Sequence, residues 1–347
     1  WINVVANPEF GFTVSETGAG YTWSRNSGEH RLTPWMNDPL LDPPGEAIYL
    51  RDEETAEYWS PTPGPRPADA PYQARHGAGC TRFLHASHGL RQEVLFFVPL
   101  HATVKVMRVE LRNLWNRQRR VTATYYAEWV LGTDRRTMAP HVVTALDREL
   151  GAVLARQRFH EEHGARVAFL GSSEPRHGAT ADRAEFLGTP GSLHRPAALE
   201  RIGLGETYGE DIDPCAALQV HVDLAPGETR ALYLFAKDLV LYRTASGEPR
   251  LVDAHCPHLG AHPRSTSPPS PGTWRPSRSW PWRAPSSPNL SCSTSVSLTL
   301  TGATCCNASK TSPARSKFQC WFGQRPKMTR TVELRSTSAR KTSSKRV

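Results

Sequence analysis

Two kinds of side chain alternate along the stretch Val121-Thr122-Ala123-Thr124-Tyr125-Tyr126-Ala127-Glu128-Trp129-Val130-Leu131. One face collects apolar and aromatic side chains, which are Val121, Ala123, Tyr125, Ala127, Trp129 and Leu131. The other face collects Thr122, Thr124, Tyr126 and Glu128. Because successive side chains of a β-strand point to opposite faces of its sheet, this period of two predicts a strand with one face in a core.

Similar strand signals lie on both sides of this stretch. The runs rich in β-branched and aromatic residues are Glu93–Pro99, Val104–Leu111 and Arg166–Leu170. Residues Leu218–Leu224 alternate as well, and the turn Ala225–Glu228 predicts a hairpin between them and the strand Arg230–Phe235. Short strands punctuated by Gly and Pro over more than 200 residues favour a mainly β protein, built as a large two-sheet sandwich.

The net charge of +9 is distributed unevenly along the chain. Residues 241–347 hold 17 of the 42 Lys and Arg but only 3 of the 33 Asp and Glu. The first 240 residues therefore carry 25 basic and 30 acidic side chains, a balance of −5. Because nucleic-acid binding requires basic groups on the folded surface, this distribution argues against nucleic acid as a partner.

Residues 263–347 differ in composition from the rest of the chain. They contain 18 Ser, 11 Thr, 10 Pro, 15 basic residues, one acid and no histidine. Such a composition cannot bury enough apolar surface to offset the ordering entropy of the backbone, so it predicts a disordered basic tail. Its abrupt start inside a motif is also typical of a stretch translated out of its natural frame.

Cysteine spacing and hydropathy bear on where the protein works. Before the tail, Cys80, Cys215 and Cys256 are widely separated, which favours a reducing compartment and predicts a cytoplasmic protein. No run of about 18 apolar residues occurs, so we expect no membrane span. The chain begins at Trp1 without a methionine or a leader, which we interpret as a fragment.

The N-terminal residues combine aromatic, amide and charged side chains with glycines in the segments Asn7–Phe12, Ser15–Trp23 and Arg31–Pro39. Sugar sites use this mixture because an aromatic ring packs on the C–H face of a pyranose while Asn, Asp and Arg bond adjacent hydroxyls. Glycine-rich hairpins with their aromatic rings in the core have the same pattern, so both interpretations stay open on the residues alone.

Several segments, long and rich in rare residues, follow one another over about 230 residues. They are Trp1–Tyr21, Asn26–Asp38, Asp42–Ala47, Tyr49–Asp52, Trp59–Pro63, Tyr125–Gly132 and Asp213–Gln219. In this order they resemble the N-terminal supersandwich domain of glycoside hydrolase family 94 phosphorylases. They resemble the version of this domain found in the C-terminal region of bacterial cyclic β-1,2-glucan synthases.

The resemblance implies a galactose mutarotase-like β-supersandwich over residues 1–235. In the complete enzymes this domain packs against a helical (α/α) barrel, which supplies the acid that protonates the glycosidic oxygen while phosphate attacks with inversion. The full-length relatives include inner-membrane glucan synthases. Because nothing after residue 235 resembles the barrel, we expect a module that binds β-glucan oligosaccharides and is inactive alone; whether the chain is an enzyme stays open, as does a homodimer.

The resemblance also implies where sugar would bind, because sandwich loops of the family close over a sugar subsite, sometimes across a dimer. By position, the implied contacts are Tyr21, Trp23, Arg31, Trp35, Asn37 and Asp38. The acidic clusters around Asp52, Glu161 and Asp211 are interpreted as solvated faces. We therefore assign no catalytic residue and expect no cofactor for the sandwich.

A second motif lies in residues 236–262, where Cys256-Pro257-His258 follows a strand-like run. It resembles the first half of a Rieske [2Fe-2S] motif, which needs Cys-x-His and a later Cys-x-x-His because one iron takes two thiolates and the other takes two imidazoles. No histidine follows His262, so we expect a truncated segment that holds a cluster only if the second pair is supplied. A Rieske-type redox or oxygenase fusion is the alternative function, and a zinc site including His262 is a further one.

Overall fold

The computed structural model describes residues 1–38, 40–160, 162–243, 249–252 and 332–334. In this part the chain is mainly β, as predicted. The strands are β1 (Ile2–Ala6), β2 (Phe10–Ser15), β3 (Thr22–Ser24), β4 (Glu46–Asp52), β5 (Tyr58–Trp59), β6 (Tyr72–Gly77), β7 (Cys80–Ser87), β8 (Leu90–Phe97), β9 (Val104–Asn113), β10 (Arg119–Glu128), β11 (Val142–Asp147), β12 (Ala152–Gln157), β13 (Arg166–Ser172), β14 (Arg176–Asp182), β15 (Pro214–Leu224), β16 (Thr229–Arg243), β17 (Pro249–Val252) and β18 (Val332–Leu334). The short helices are α1 (Arg135–Met138) and α2 (Arg183–Leu187), with 3-10 turns at Ala139–His141 and Ala197–Glu200.

These strands form three sheets. The small sheet has the order β1-β2-β3, the middle sheet β14-β15-β10-β4-β5, and the large sheet β11-β12-β13-β16-β9-β8-β7-β6-β18, with β17 also paired to β16. The strand pairs of the central sandwich are antiparallel, as β10 with β15 and β16 with β9 illustrate. Antiparallel strands can be joined by short turns, which the Gly and Pro punctuation of the sequence supplies.

The main core lies between the middle and large sheets. The predicted inner face of β10, including Val121, Tyr125 and Trp129, is fully buried in it, so the alternation was predicted correctly. The opposite face is buried too, because α2 covers it and Phe186 stacks on Tyr126 with ring centroids 4.8 Å apart. The alternation in this stretch therefore separates an apolar face from a face of hydroxyl-bearing side chains, and not a buried face from an exposed one.

The predicted hairpin around Ala225–Glu228 is wrong. The strands on its two sides lie in different sheets, since β15 pairs with β10 and β14 whereas β16 pairs with β9 and β13. Each strand turns an apolar face toward the other sheet, with Leu218 on β15 and Leu234 on β16 in one core cluster. The turn therefore connects the two layers of the sandwich, because burying both apolar faces against each other favours this connection over edge pairing.

Two asparagines attach the small sheet to the large one. The side-chain amide of Asn3 donates to the carbonyl oxygens of Gly77 and Cys80, both at 3.1 Å. Asn7 donates in the same way to the carbonyl of Pro99 at 2.8 Å. These bonds join the small sheet, which carries the N-terminal aromatic residues, to the β6–β7 turn and to the segment after β8.

Strand β16 continues across residue 235, the predicted boundary between the sandwich and the Rieske-like segment. The candidate ligands Cys256 and His258 and most of the predicted tail lie outside the described residues. Within the described residues, no helix has the length and apolar character needed to cross a membrane.

Candidate functional site

Three of the predicted sugar-binding side chains form one aromatic stack. The rings of Tyr21 and Trp35 are 4.9 Å apart and nearly parallel, at 9°. The ring of Trp23 lies 5.2 Å from that of Tyr21, at 36°. Tyr21 is buried, whereas Trp23 and Trp35 are half-buried and keep part of each indole at the surface. The arrangement thus combines a buried Tyr21 ring with two partly exposed indoles.

Arg31 lies beside this stack. Its guanidinium carbon is 5.8 Å from the centroid of the Tyr21 ring, within the range of a cation–π contact. The carbonyl of Ser27 joins the two residues, since it accepts from Arg31 Nε at 3.2 Å and from the Tyr21 hydroxyl at 3.3 Å. Burial raises the pKa of Tyr21, with Arg31 opposing the shift, so the phenol remains a neutral donor at pH 7.

Asn37 and Asp38 occupy the loop that follows the stack. Asn37 is exposed and has a left-handed backbone, with φ at 49°. The Asp38 carboxylate accepts from the backbone N–H groups of Leu40 and Leu41 at 2.9 and 3.0 Å, which lowers its pKa. Asp38 therefore forms the loop's turn, and a sugar contact by either residue stays a prediction.

A buried network of charged and hydroxyl-bearing side chains supports the aromatic stack. The Glu46 carboxylate is 7% exposed and accepts from Lys105 Nζ at 2.8 Å, the Tyr125 hydroxyl at 2.7 Å and the Thr33 hydroxyl at 2.9 Å. The hydroxyl of Thr22 donates to the same carboxylate. Burial acts to raise the pKa of Glu46, but the Lys105 charge and these hydrogen bonds lower it overall.

This network fixes the positions of the aromatic residues. Thr22 lies between Tyr21 and Trp23 in the chain, and Thr33 precedes Trp35 by two residues. Since both threonines donate to one buried carboxylate, both backbone segments are tied to the sandwich core. Sequence reasoning missed this support, although a lysine within the apolar run Val104–Leu111 was a usable signal.

Gly11 provides the space in which Trp23 lies. A β-carbon at position 11 would come within 2.4 Å of the Trp23 ring. We therefore expect Gly11→Ala to displace the indole, weakening any ligand that contacts it about tenfold while lowering stability by about 1–3 kcal/mol. A ligand titration combined with urea unfolding measures both effects. An unchanged ligand affinity in Gly11→Ala would contradict the position assigned to Trp23.

In the acidic cluster around Asp52, Glu54 and Glu57 are exposed as predicted, but Asp52 itself is not solvated. Asp52 is buried and paired with Arg119, whose Nη1 also donates to the carbonyl of His88 at 2.6 Å. Burial acts to raise the pKa of Asp52, but Arg119 and nearby backbone N–H groups lower it overall. A general acid needs a raised pKa, so this carboxyl group is unsuited to that role.

The partly exposed aromatic stack and its adjacent arginine are carried on a large two-layer β-sandwich. The model of the family described as "Glycosyl hydrolase 94, supersandwich domain" matches residues 1–239, and the chain belongs to this family.

Known proteins similar to this chain are mostly much longer. It is 37% identical over 242 residues to cyclic beta-(1,2)-glucan synthase NdvB of Rhizobium meliloti (strain 1021), covering 69% of this chain and 8% of that protein. It is 30% identical over 132 residues to N,N'-diacetylchitobiose phosphorylase of Vibrio furnissii, covering 37% and 16%. A galactose mutarotase-like protein from Lactobacillus casei ATCC 334 aligns with a TM-score of 0.39 and 8% identity, covering 69% of this chain and 100% of that one.

The Rieske [2Fe-2S] domain family also matches, over residues 216–273. This range includes most of β15 and all of β16, which are sandwich strands paired within the middle and large sheets. The sequence supplies Cys256 and His258 but no later Cys-x-x-His, so its donor set is half of what the cluster needs. The residues present do not fit the cluster, and no chemistry is derived through it.

Proposed function

We propose that this domain binds β-linked glucan oligosaccharides at the aromatic stack of Tyr21, Trp23 and Trp35. The observation that carries the proposal is the stack itself, with its rings 4.9 and 5.2 Å apart and with Arg31 at its side. The names of the relatives, a glucan synthase and a disaccharide phosphorylase, support a β-linked sugar as the ligand.

The chemistry of the stack suits a pyranose. The exposed parts of the Trp23 and Trp35 indoles present apolar surface to the C–H face of a sugar ring. Arg31 Nε donates to the carbonyl of Ser27, and the remaining N–H groups of Arg31 are able to bond neighbouring hydroxyls. The buried Glu46 network holds the rings in place before the ligand arrives, which reduces the entropy lost on binding.

Replacing Trp35 is expected to weaken binding most clearly. Trp35→Ala removes one accessible ring and should raise the Kd for a linear β-1,2-linked glucan oligosaccharide about tenfold, or ~1.4 kcal/mol. Isothermal titration calorimetry measures the change, and urea unfolding shows whether the fold is retained.

Trp115→Ala is the matched control for this experiment. Trp115 is 36% exposed and packs against the guanidinium groups of Arg117 and Arg119, at 4.7 and 3.9 Å. This variant should bind as the wild type does. Equal loss of affinity in both variants, or no binding by the wild type at millimolar sugar, would contradict the proposed site.

We also propose that the domain alone does not cleave glucans and that it acts beside a separate catalytic barrel in longer proteins. Buried carboxylates at the two ends of β4 are neutralised by cations: Glu46, which supports the stack, by Lys105, and Asp52 by Arg119. Groups held in this way are poor proton donors.

Incubation with glucan and inorganic phosphate should therefore release no sugar phosphate above a protein-free control. The readout is an enzymatic assay for glucose 1-phosphate. Phosphate-dependent release that disappears in a Glu46→Gln variant would assign catalysis to this domain and overturn the proposal.

A further inference from the structure

Three imidazole rings lie against one another where two loops meet. His30 belongs to the β3 loop (residues 25–31), and His160 and His163 belong to the β12–β13 loop (residues 158–165). The rings of His30 and His163 are 4.0 Å apart at 25°, and those of His160 and His163 are 4.6 Å apart at 33°. His30 and His163 are 2% and 4% exposed. We call these three residues the histidine stack.

Positive charge surrounds the histidine stack. Among the described residues, the charged groups that act on its rings are Arg25 and Arg166 and the acid Glu162. Arg166 is buried, donates to Asp238 at 2.5 Å and to the Ser24 hydroxyl at 3.2 Å, and so has its own counter-ion. Glu162 is 3.9 Å from His163 Nε2, and its side chain is 73% exposed. Among the described residues that act on the rings, the acid available to a proton added to the stack is this exposed and screened carboxylate.

The rings of His30 and His163 are therefore held neutral near pH 7. Burial, and then Arg166, lower the pKa of His30 to about 3. Burial, and then His30 and His160, lower the pKa of His163 to about 4. The ring nitrogen Nδ1 of His30 lies 3.1 Å from the Ser24 carbonyl, which only accepts, so Nδ1 carries the hydrogen in the neutral ring.

The histidine stack is directly connected to the aromatic stack. His30 precedes Arg31, whose backbone exchanges two hydrogen bonds of 3.0 Å with Gly132. The β3 loop also contains Ser27, the carbonyl that joins Arg31 to Tyr21. A movement of the β3 loop away from the β12–β13 loop would displace the Ser27 carbonyl and so disturb the contact between Arg31 and Tyr21.

We propose that the histidine stack is an acid-sensitive contact: protonation separates the β3 loop from the β12–β13 loop and lowers the affinity of the aromatic stack for sugar. The effect on sugar affinity rests on the proposed function, whereas the loop opening does not.

The direction follows from proton binding in the two states. A histidine whose pKa is depressed in the closed state takes up its proton when the loops open and its pKa returns toward 6.5. Opening is then linked to the uptake of about two protons as the pH falls from about 6.5 toward 4. Above about pH 7 both states are neutral at these rings, and the contact is insensitive to pH.

The test compares the wild type with His163→Phe, which keeps a ring in the stack but cannot be protonated. Between pH 7 and pH 5, the wild-type Kd for a β-1,2-linked oligosaccharide should rise about tenfold, and that of His163→Phe less than about threefold. His177→Phe is the matched control, because His177 is exposed and its ring also contacts another histidine, at 3.8 Å from His221. It should behave as the wild type does.

Hydrogen exchange without sugar separates this proposal from the proposed function. In the wild type, exchange corrected for the intrinsic rate should increase at pH 5 in residues 25–31 and 158–165, while the strands of the sandwich stay protected. This readout requires neither a folded variant nor a ligand. Unchanged exchange in both loops, or cooperative unfolding of the whole sandwich at pH 5, would overturn the acid-sensitive contact. Loop opening without sugar binding at any pH would overturn only the proposed function.

Discussion

Replacing Lys105 with methionine should lower the free energy of unfolding by about 3–5 kcal/mol at pH 7, because it leaves the Glu46 carboxylate buried without a counter-ion. Lys105 Nζ donates to Glu46 at 2.8 Å and lies 4.7 Å from the ring centroid of Phe12. Methionine retains most of the apolar stem of lysine, so the loss of stability reports the removal of the charge. Urea unfolding followed by tryptophan fluorescence measures it.

The loss of unfolding free energy in Lys105→Met should depend on pH in a defined direction. In the wild type the pKa of Glu46 is lowered from 4.5, so the pair stabilises the fold above about pH 4.5 and loses that contribution as the pH falls through the lowered pKa. In the variant the lowering charge is absent and burial raises the pKa instead. The destabilisation should therefore be largest at pH 7 and smaller at pH 4.

A double variant serves as the control. Lys105→Met with Glu46→Gln should be more stable at pH 7 than Lys105→Met alone, since no unpaired charge is left in the core. Equal stability of the single and double variants, or a Lys105→Met loss that is independent of pH, would show that the ion pair does not hold this region together.

Replacing Trp59 with alanine should also destabilise the sandwich by about 3–5 kcal/mol. Trp59 is 1% exposed, belongs to the middle sheet, and donates from Nε1 to Gln92 of the large sheet at 2.9 Å. Its ring also stacks on His88, with centroids 3.8 Å apart at 8°. The substitution removes packing between the two layers and leaves a buried amide oxygen without its donor.

Two further variants separate these contributions. Trp59→Phe keeps an aromatic ring but no donor, so it should cost about 1–3 kcal/mol less than Trp59→Ala. Trp115→Ala, at a half-exposed position, should change stability by about 1 kcal/mol or less. A similar loss in Trp115→Ala and Trp59→Ala would contradict the role of Trp59 between the sheets.

Strand positions could be predicted from the sequence because alternation is a local property. The alternation over the eleven residues from Val121 to Leu131 predicts one buried face whichever strands flank this stretch. Which strands pair is decided by contacts between distant segments, so the turn at Ala225–Glu228 gave a hairpin prediction although the chain crosses between sheets there. The burial of the second face of β10 depends on α2, which is distant in sequence.

The aromatic part of the candidate site was predicted through the family resemblance, which placed Tyr21, Trp23 and Trp35 in one region. The supporting groups could not be found in this way, because Glu46 and Lys105 are 59 residues apart and meet only in the folded core. The histidine stack is similar, since His30 and His163 come from loops on separate sheets. The hydrogen-bond partner of a single polar residue in a strand cannot be identified until the positions of the strands in the fold are known.

The central claim is that the aromatic stack is the sugar site, and indole NMR tests it most directly. The chain has ten tryptophans, whose Nε1–H signals can be assigned by single substitutions to phenylalanine. Titration with a linear β-1,2-linked glucan oligosaccharide should shift the signals of Trp23 and Trp35 and leave those of the buried Trp59 and Trp129 unchanged. Shifts confined to Trp1 or Trp115, or no shift at millimolar sugar, would contradict the account.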